Sequence, residues 1–455
     1  MQRNYVAMAF ALAIGFGTAA IVAPEAIGAL VMIAGLSLVL LPTLRRYSSD
    51  PELVTKIFFA ALGLRLLFGL LVYANGWFDF FGGDALTYDW RAALIVDYWR
   101  GLVPSNSPEL IRSTSTNGPG WGMNYLVAII YAVFGRNFLA AQTFVVVFGA
   151  ATASLVHICT EKVFQNQRVA RFAAISVAVF PAFVIWSGQL LKDGLIIFLL
   201  VLAMTMVLKL QEKFSYGALV VLILSLFGIM SLRFYIFYMV AVAVAGSFVL
   251  GVSNSPASLF RRAIVLVIMG VGLTYLGVVQ TATMNFEKFG DLQSLQRSRL
   301  DQAVSADSGY AEDIDVSTTR GAITAIPIGF VYLIFAPFPW DVRNFRQVIT
   351  LPEVFVWWAM VPLLVWGAWY TLRHRLRTAF PILLFSGMLT LAYSIFQSNV
   401  GTAYRQRTQI QVFFFMFIGV GWVLFKERRE DRKLLLDAKR RQRRQMVGME
   451  GQGRS

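Results

Sequence analysis

The sequence predicts an all-α integral membrane protein of about 12–13 transmembrane helices, with further helices lying in the membrane interface. Three observations lead there. Of 455 residues, 57% are hydrophobic and only 14% charged, whereas roughly a quarter of a soluble domain is charged. Apolar runs of spanning length recur along the chain; about 20 residues suffice, because lipid cannot satisfy an exposed backbone. Basic residues also collect in alternate connections, as the positive-inside rule requires. This composition excludes a soluble enzyme, a disordered chain and a fibrous protein. The single Cys159 excludes a disulfide framework, and two histidines, His157 and His374, leave no zinc cluster.

Twelve apolar runs read as spans: 5–22, 26–42, 53–74, 138–159, 172–188, 193–209, 216–232, 234–252, 263–280, 354–371, 379–396 and 409–425. The first is read as a retained helix rather than a signal peptide, since a second apolar run follows directly after Pro24. Two further runs are ambiguous: 123–135 is short, and 322–339 is interrupted by Pro327 and Pro337. If both stay at the outer face, the termini are cytoplasmic. The inner connections then carry 25 of the 40 Lys and Arg but only 9 of the 25 acids. If both span, everything between 137 and 320 flips, and Asp84 and Asp193 fall on opposite sides. Lys and Arg alone divide evenly over the flipped part, but the short 123–135 run, the proline-broken 322–339 run and the dense basic turns at 160–171 and 261–262 favour the first arrangement; the membrane is read as a bacterial inner membrane. Residues 1–425 form the membrane domain and 426–455 a basic cytoplasmic tail. That tail carries much of the net charge of +15, which therefore points to anionic lipid and not to nucleic acid.

Two outer loops are long, 75–137 and 281–321, and long loops in compact proteins tend to be functional. In the first, residues 84–100 bring acids and aromatics together at helical spacing (Asp84, Tyr88, Trp90, Asp97, Tyr98, Trp99), which suits an interfacial helix. The second holds seven acids and four bases with no clear apolar period and reads as a polar cap. No phosphate-binding glycine loop is present, which argues against nucleotide-driven transport.

Asp84 follows Gly82-Gly83 at a membrane exit. There it serves either as a general base towards a hydroxyl or as a helix cap. Asp193 opens the run 193–209 and carries the same two readings. Lys192 beside it is an interface anchor or a phosphate partner. Arg233 sits at a tight turn between two apolar runs, where a cation needs a partner. Arg405 and Arg407 suit a phosphate headgroup, since guanidinium binds phosphate bidentately; the alternative is pairing with the acidic 281–321 loop. Arg343 and Arg346 form a weaker pair of the same kind. Arg65 is a charge inside an apolar run, and His157 and Cys159 read as helix filler.

In three stretches the chain resembles the GT-C superfamily of membrane glycosyltransferases, which includes protein O-mannosyltransferases and the lipid A aminoarabinose transferase. The first is the acid, tyrosine and small residue Asp84, Tyr88 and Ala92 on an interfacial helix. The second is the Pro-led segment from Pro119 to Phe134-Gly135, and the third runs from the basic turn at Arg168 to the second acid, Asp193. Where many members have a second acid next to the first, this chain has Ala85, which removes a paired carboxylate. The resemblance implies inverting transfer of a sugar from a polyprenyl-phosphate donor to a lipid, glycan or protein acceptor at the outer face. Asp84 is then the base, and Asp193, Tyr88 and Lys192 line the site. Arg233, Arg405 and Arg407 are assigned to the leaving phosphate on chemistry alone. A divalent metal is compatible with these residues but not required by them. The rivals are a polymerase or ligase acting on lipid-pyrophosphate oligosaccharides, and a lipid-linked glycan flippase.

Overall fold

The computed structural model describes residues 25–81, 83–116, 120–249, 256–304, 308–311 and 313–452. The run 5–22, Gly82 and Pro119 lie outside them. Among the described residues the chain is a bundle of α-helices. The first two are α1 (Glu25–Tyr47) and α2 (Pro51–Asn75). The Asp50 side chain caps α2 by accepting from Leu53 N, and Gly76, in the left-handed conformation, ends it. The expected interfacial helix follows as α3 (Asp84–Trp99), then α4 (Pro108–Thr114) and α5 (Trp121–Phe134). The chain continues through α6 (Phe138–Phe164), α7 (Gln167–Val179), α8 (Pro181–Ser187), α9 (Lys192–Glu212), α10 (Tyr216–Leu232), α11 (Phe234–Val249) and α12 (Pro256–Tyr275). It closes with α13 (Val278–Phe289), α14 (Leu292–Val304), α15 (Thr319–Phe335), α16 (Phe345–His374), α17 (Leu376–Phe396) and α18 (Val400–Gln452).

Seven of these helices are long and apolar enough to cross a membrane, or nine if each of two bent pairs counts as one span. That is fewer than the sequence runs suggest. The helices α10 and α11, of 17 and 16 residues, are about 24–26 Å long, short of a ~30 Å hydrocarbon core. They nevertheless traverse the bundle. Arg233 between them meets Asp193 at the start of α9, while Ser247 near the end of α11 accepts from Gln211 near the end of α9.

Side-chain ties fix which helix ends lie together. At one end, Tyr73 donates to the Glu25 carboxylate at 2.9 Å and Asn137 to the Glu25 carbonyl at 2.8 Å. At the other, Arg171 pairs with Asp50 and Lys162 with Glu212, each at 2.8 Å. The ambiguous run 123–135 is α5, and it does not cross. It leans on α3 and α4 through Tyr131 to Asp89 at 2.7 Å and Asn124 to the Ser113 carbonyl at 3.1 Å, and the chain leaves it beside Glu25. The run 322–339 is α15. The chain enters it from α14, which Arg299 ties to the Ile395 carbonyl at the end of α17. It leaves at Arg343 and Arg346, which hold the Gly309 and Asp79 carbonyls at the same end. Neither run flips the bundle, so Asp84 and Asp193 share one end.

Three expectations need correction. The run 172–188 is two helices bent by 54° at Phe180-Pro181. Pro181 has no N–H, so the last carbonyls of α7 lose their helical donors. Arg65 replaces them, donating to the Val177 and Ala178 carbonyls at 3.1 and 3.0 Å and to Ser187 Oγ at 2.7 Å. The run 263–280 likewise breaks, by 76°, at Gly277. The 281–321 segment is largely helical: α14 packs Leu292 and Leu295 against Val316, Ala322 and Ala325 and is held by Arg299 and by Gln296, which accepts from Val316 N at 2.8 Å.

Candidate functional site

Four segments far apart in sequence meet at one end of the bundle. Asp84 opens α3, Asp193 is the second residue of α9, Arg233 joins α10 to α11, and Arg405 lies in the second turn of α18. Neither aspartate caps its helix with its side chain. Both face Arg405 instead. The Arg405 guanidinium donates from Nε to Asp193 Oδ2 at 2.7 Å and from Nη1 to Asp84 Oδ2 at 2.8 Å. Arg233 Nη2 donates to the other Asp193 oxygen at 3.3 Å. The ring of Trp186, on α8, lies 5.3 Å beneath the Arg405 guanidinium, within cation–π range.

The two carboxylates differ in exposure. The Asp193 side chain is fully buried and that of Asp84 is 50% exposed. Asp193 is thus locked between two arginines, while Asp84 keeps a face open to solvent and to a ligand. Tyr88, one turn along α3, is buried in the same group. Burial, together with the Asp84 charge, raises its hydroxyl above the usual phenol range, so it stays protonated.

Close backbone approach brings α5 onto the site. Gly120 adopts φ +83, and a Cβ there would sit 2.8 Å from Lys192 Nζ. The left-handed backbone there favours glycine, and the close approach marks how near α5 comes to Lys192. A Cβ on Gly122 would run into the Ser231 side chain. This contact seats the start of α5 against the turn that carries Arg233. Beside it a crevice of about 170 Å³ opens between Trp121, Phe227, Met230 and the α12–α13 break at Gly277.

Six of the seven sequence candidates (Asp84, Tyr88, Lys192, Asp193, Arg233 and Arg405) therefore gather in one place. Arg407 does not. It is fully buried and donates to the Ile334 and Ala336 carbonyls at 2.9 and 3.0 Å, away from the aspartates. Two positions along a helix is about 200°, so Arg405 and Arg407 face opposite ways. Arg343 pairs with Asp341 at 3.2 Å, and Arg346 donates to the Asp79 carbonyl at 2.8 Å. His157 lies at the opposite end, 3.5 Å from Ser48 Oγ, and Cys159 is buried. Sequence reading missed Trp186 and Glu353; the latter accepts from Tyr404, the neighbour of Arg405, at 2.7 Å.

Among the described residues no three of His, Cys, Asp and Glu gather as metal ligands. The cation between the two aspartates is Arg405. Lys192, Arg233 and Arg405 against Asp84 and Asp193 leave one positive charge in excess, in a setting of low dielectric where charge acts strongly. Such a group binds an anion, and its exposed carboxylate can take a proton.

No family model and no curated protein matches the sequence. Among solved structures, the apo form of the Archaeoglobus fulgidus oligosaccharyltransferase is similar at a TM-score of 0.43 and 14% identity. The match covers 78% of this chain and 52% of that one, so the chain spans about half the length of that protein.

Proposed function

We propose that this chain is a membrane glycosyltransferase of GT-C type that moves a sugar from a polyprenyl-phosphate donor to an acceptor hydroxyl at the outer face of the membrane. The observation that carries the reading is Arg405 bridging a buried and an exposed aspartate, with two further cations close by.

The acceptor oxygen attacks the anomeric carbon from the face opposite the phosphate, and its proton passes to Asp84. The bond from the anomeric carbon to the phosphate oxygen breaks, and the electron pair leaves with the lipid phosphate, giving inversion. Negative charge grows on that phosphate, where preorganised cations lower the barrier most. Arg405, Arg233 and Lys192 supply them. Asp193 works by holding both arginines in place, and Tyr88 by donating a hydroxyl hydrogen bond. In the free protein Arg405 neutralises Asp84. An arriving phosphate competes for that guanidinium and releases the carboxylate to act as base. The crevice beside Trp121 suits an isoprenoid chain, which would enter from the bilayer.

The test is Asp84→Asn, inserted normally in membranes and assayed with radiolabelled polyprenyl-phosphate sugars. Loss of transfer by at least about a hundredfold, with polyprenyl phosphate still bound, is the expected result for a general base. Unimpaired transfer would sink the assignment. A second reading has support in the cation excess: a polymerase or ligase working on lipid pyrophosphate would rest on the arginines and tolerate the Asp84 change.

A further inference from the structure

Glu353 is an expensive residue in its position. It lies on α16, 6% exposed, with the Arg407 guanidinium and the Ala182 backbone nearby, and an ionisable group at such a place demands a reason. Among the described residues it makes no ion pair. Its Oε2 accepts the Tyr404 hydroxyl at 2.7 Å. Tyr404 precedes Arg405 on α18 and is itself buried. Its ring meets Trp186 at 6.4 Å between centroids, and the Trp186 ring also lies beneath the Arg405 guanidinium.

Successive residues on a helix are 100° apart, so fixing the direction of Tyr404 fixes that of Arg405. Arg405 has to satisfy two carboxylates on two other helices at once, and its contacts at 2.7 and 2.8 Å leave little room for rotation. Glu353 Oε2 accepts from the Tyr404 hydroxyl and so gives it one directional partner on the far side of α18. The neighbouring helix α16 is the one that packs most extensively against α18, which makes it a firm reference.

We infer that Glu353 is a positioning residue: through Tyr404 it sets the rotation of the start of α18 and so holds Arg405 between Asp84 and Asp193. Its effect on sugar transfer rests on the function proposed above; its effect on the Arg405–Asp84 contact does not.

The experiment uses the full chain in lipid nanodiscs. A water-soluble carbodiimide with an amine modifies accessible carboxyl groups, and mass spectrometry reads the rate at Asp84, which is half exposed. Releasing Asp84 from Arg405 raises that rate, and Arg405→Met sets the upper limit. Tyr404→Phe removes one hydroxyl and Glu353→Leu removes the acceptor. Each should speed Asp84 modification by up to about tenfold, the worth of one hydrogen bond, and the double variant should go no further. Glu353→Gln keeps an oxygen acceptor and should stay at the wild-type rate. Wild-type rates in Tyr404→Phe and Glu353→Leu would overturn the inference. So would Glu353→Gln behaving like Glu353→Leu, because the charge and not the hydrogen bond would then be at work. If modification responds as expected while the wild type transfers no sugar, the transferase reading fails and the positioning role stands.

Discussion

Replacing Arg405 by methionine tests the site as a charge network rather than as a list of residues. The change keeps much of the aliphatic stem and removes the guanidinium. Asp193 is then fully buried with only Arg233 left, at 3.3 Å. Removing one partner of a buried pair costs about 3–5 kcal/mol, mostly because the other charge is left uncompensated. The remaining contact to Arg233 places the expected loss at the low end, about 3 kcal/mol. The Asp84 side of the bridge contributes little, because that carboxylate is 50% exposed and screened by water, at about 1 kcal/mol or less. A double-mutant cycle separates these terms. Asp193→Asn alone leaves both arginines short of a partner, and in Asp193→Asn/Arg405→Met only the buried Arg233 is left so, so the double variant should lose about 2 kcal/mol less than the two single changes added together. Unfolding in mixed micelles of rising SDS fraction, followed by far-ultraviolet circular dichroism, gives the comparison. An Arg405→Met variant as stable as wild type would refute the reasoning. Strictly additive losses in the double variant would do so equally.

Other substitutions probe the surrounding frame. Arg65→Met withdraws donors from the Val177 and Ala178 carbonyls and from Ser187; at about 1–3 kcal/mol for each buried acceptor left unpaired, it should be the most damaging change in α2, read as lost folding yield in membranes. Arg407→Met loses two bonds to the Ile334 and Ala336 carbonyls and should lower stability by about 2 kcal/mol. Its affinity for polyprenyl phosphate should stay within about twofold of wild type, while Arg405→Met should weaken binding about tenfold or more. At the opposite end, the Leu53 backbone N–H, helped by Arg171, holds the Asp50 carboxyl below its ordinary value of 3.8. A lowered acid stabilises the fold above its unfolded pKa and loses that contribution as pH falls through the folded value. Asp50→Asn still caps α2 but should flatten the stability profile below about pH 4, seen in acid-unfolding curves.

Much of the helical layout could be read from apolar runs, because spanning segments announce themselves by length and composition. The interfacial α3 was legible too, as acids and aromatics at helical spacing outside any span. What could not be read was distance. Nothing in residues 84, 193, 233 and 405 says that one guanidinium touches two of the acids. Arg405 and Arg407 look like a pair on paper, yet helical rotation sends them to opposite faces. Arg65 read as a stray charge because the break it repairs lies more than a hundred residues away at Pro181. The α14 helix did not show in the periodicity, since Arg299 and Gln296 take up much of its inner face and few apolar residues, Leu292 and Leu295 among them, stand beside them. Glu353 lies just outside the apolar run 354–371, where nothing in the sequence sets it apart from other acids between spans.

The shared guanidinium also constrains the order of events. Arg405 has one fork and two acids to serve, and the exposed acid is the one assigned to deprotonate the acceptor. While Asp84 is paired, its Oδ2 is taken up by Arg405 and only the other oxygen faces an acceptor hydroxyl. A phosphate oxygen competes for the same Nη1 that holds Asp84, whereas Asp193, fully buried and held by both arginines, stays put. On the function proposed above, donor binding frees that oxygen of the base, and the acceptor should bind productively only afterwards. In steady-state kinetics a non-transferable acceptor analogue should then inhibit uncompetitively against the donor, and the analogue alone should show no measurable binding. Arg405→Lys offers a point charge in place of the fork and reaches one acid at a time, so it should lower kcat and convert the pattern to mixed inhibition. An acceptor analogue that binds equally well with and without polyprenyl phosphate would show that Asp84 is never masked, and the bridge at 2.8 Å would then be a structural clasp with no part in the sequence of binding.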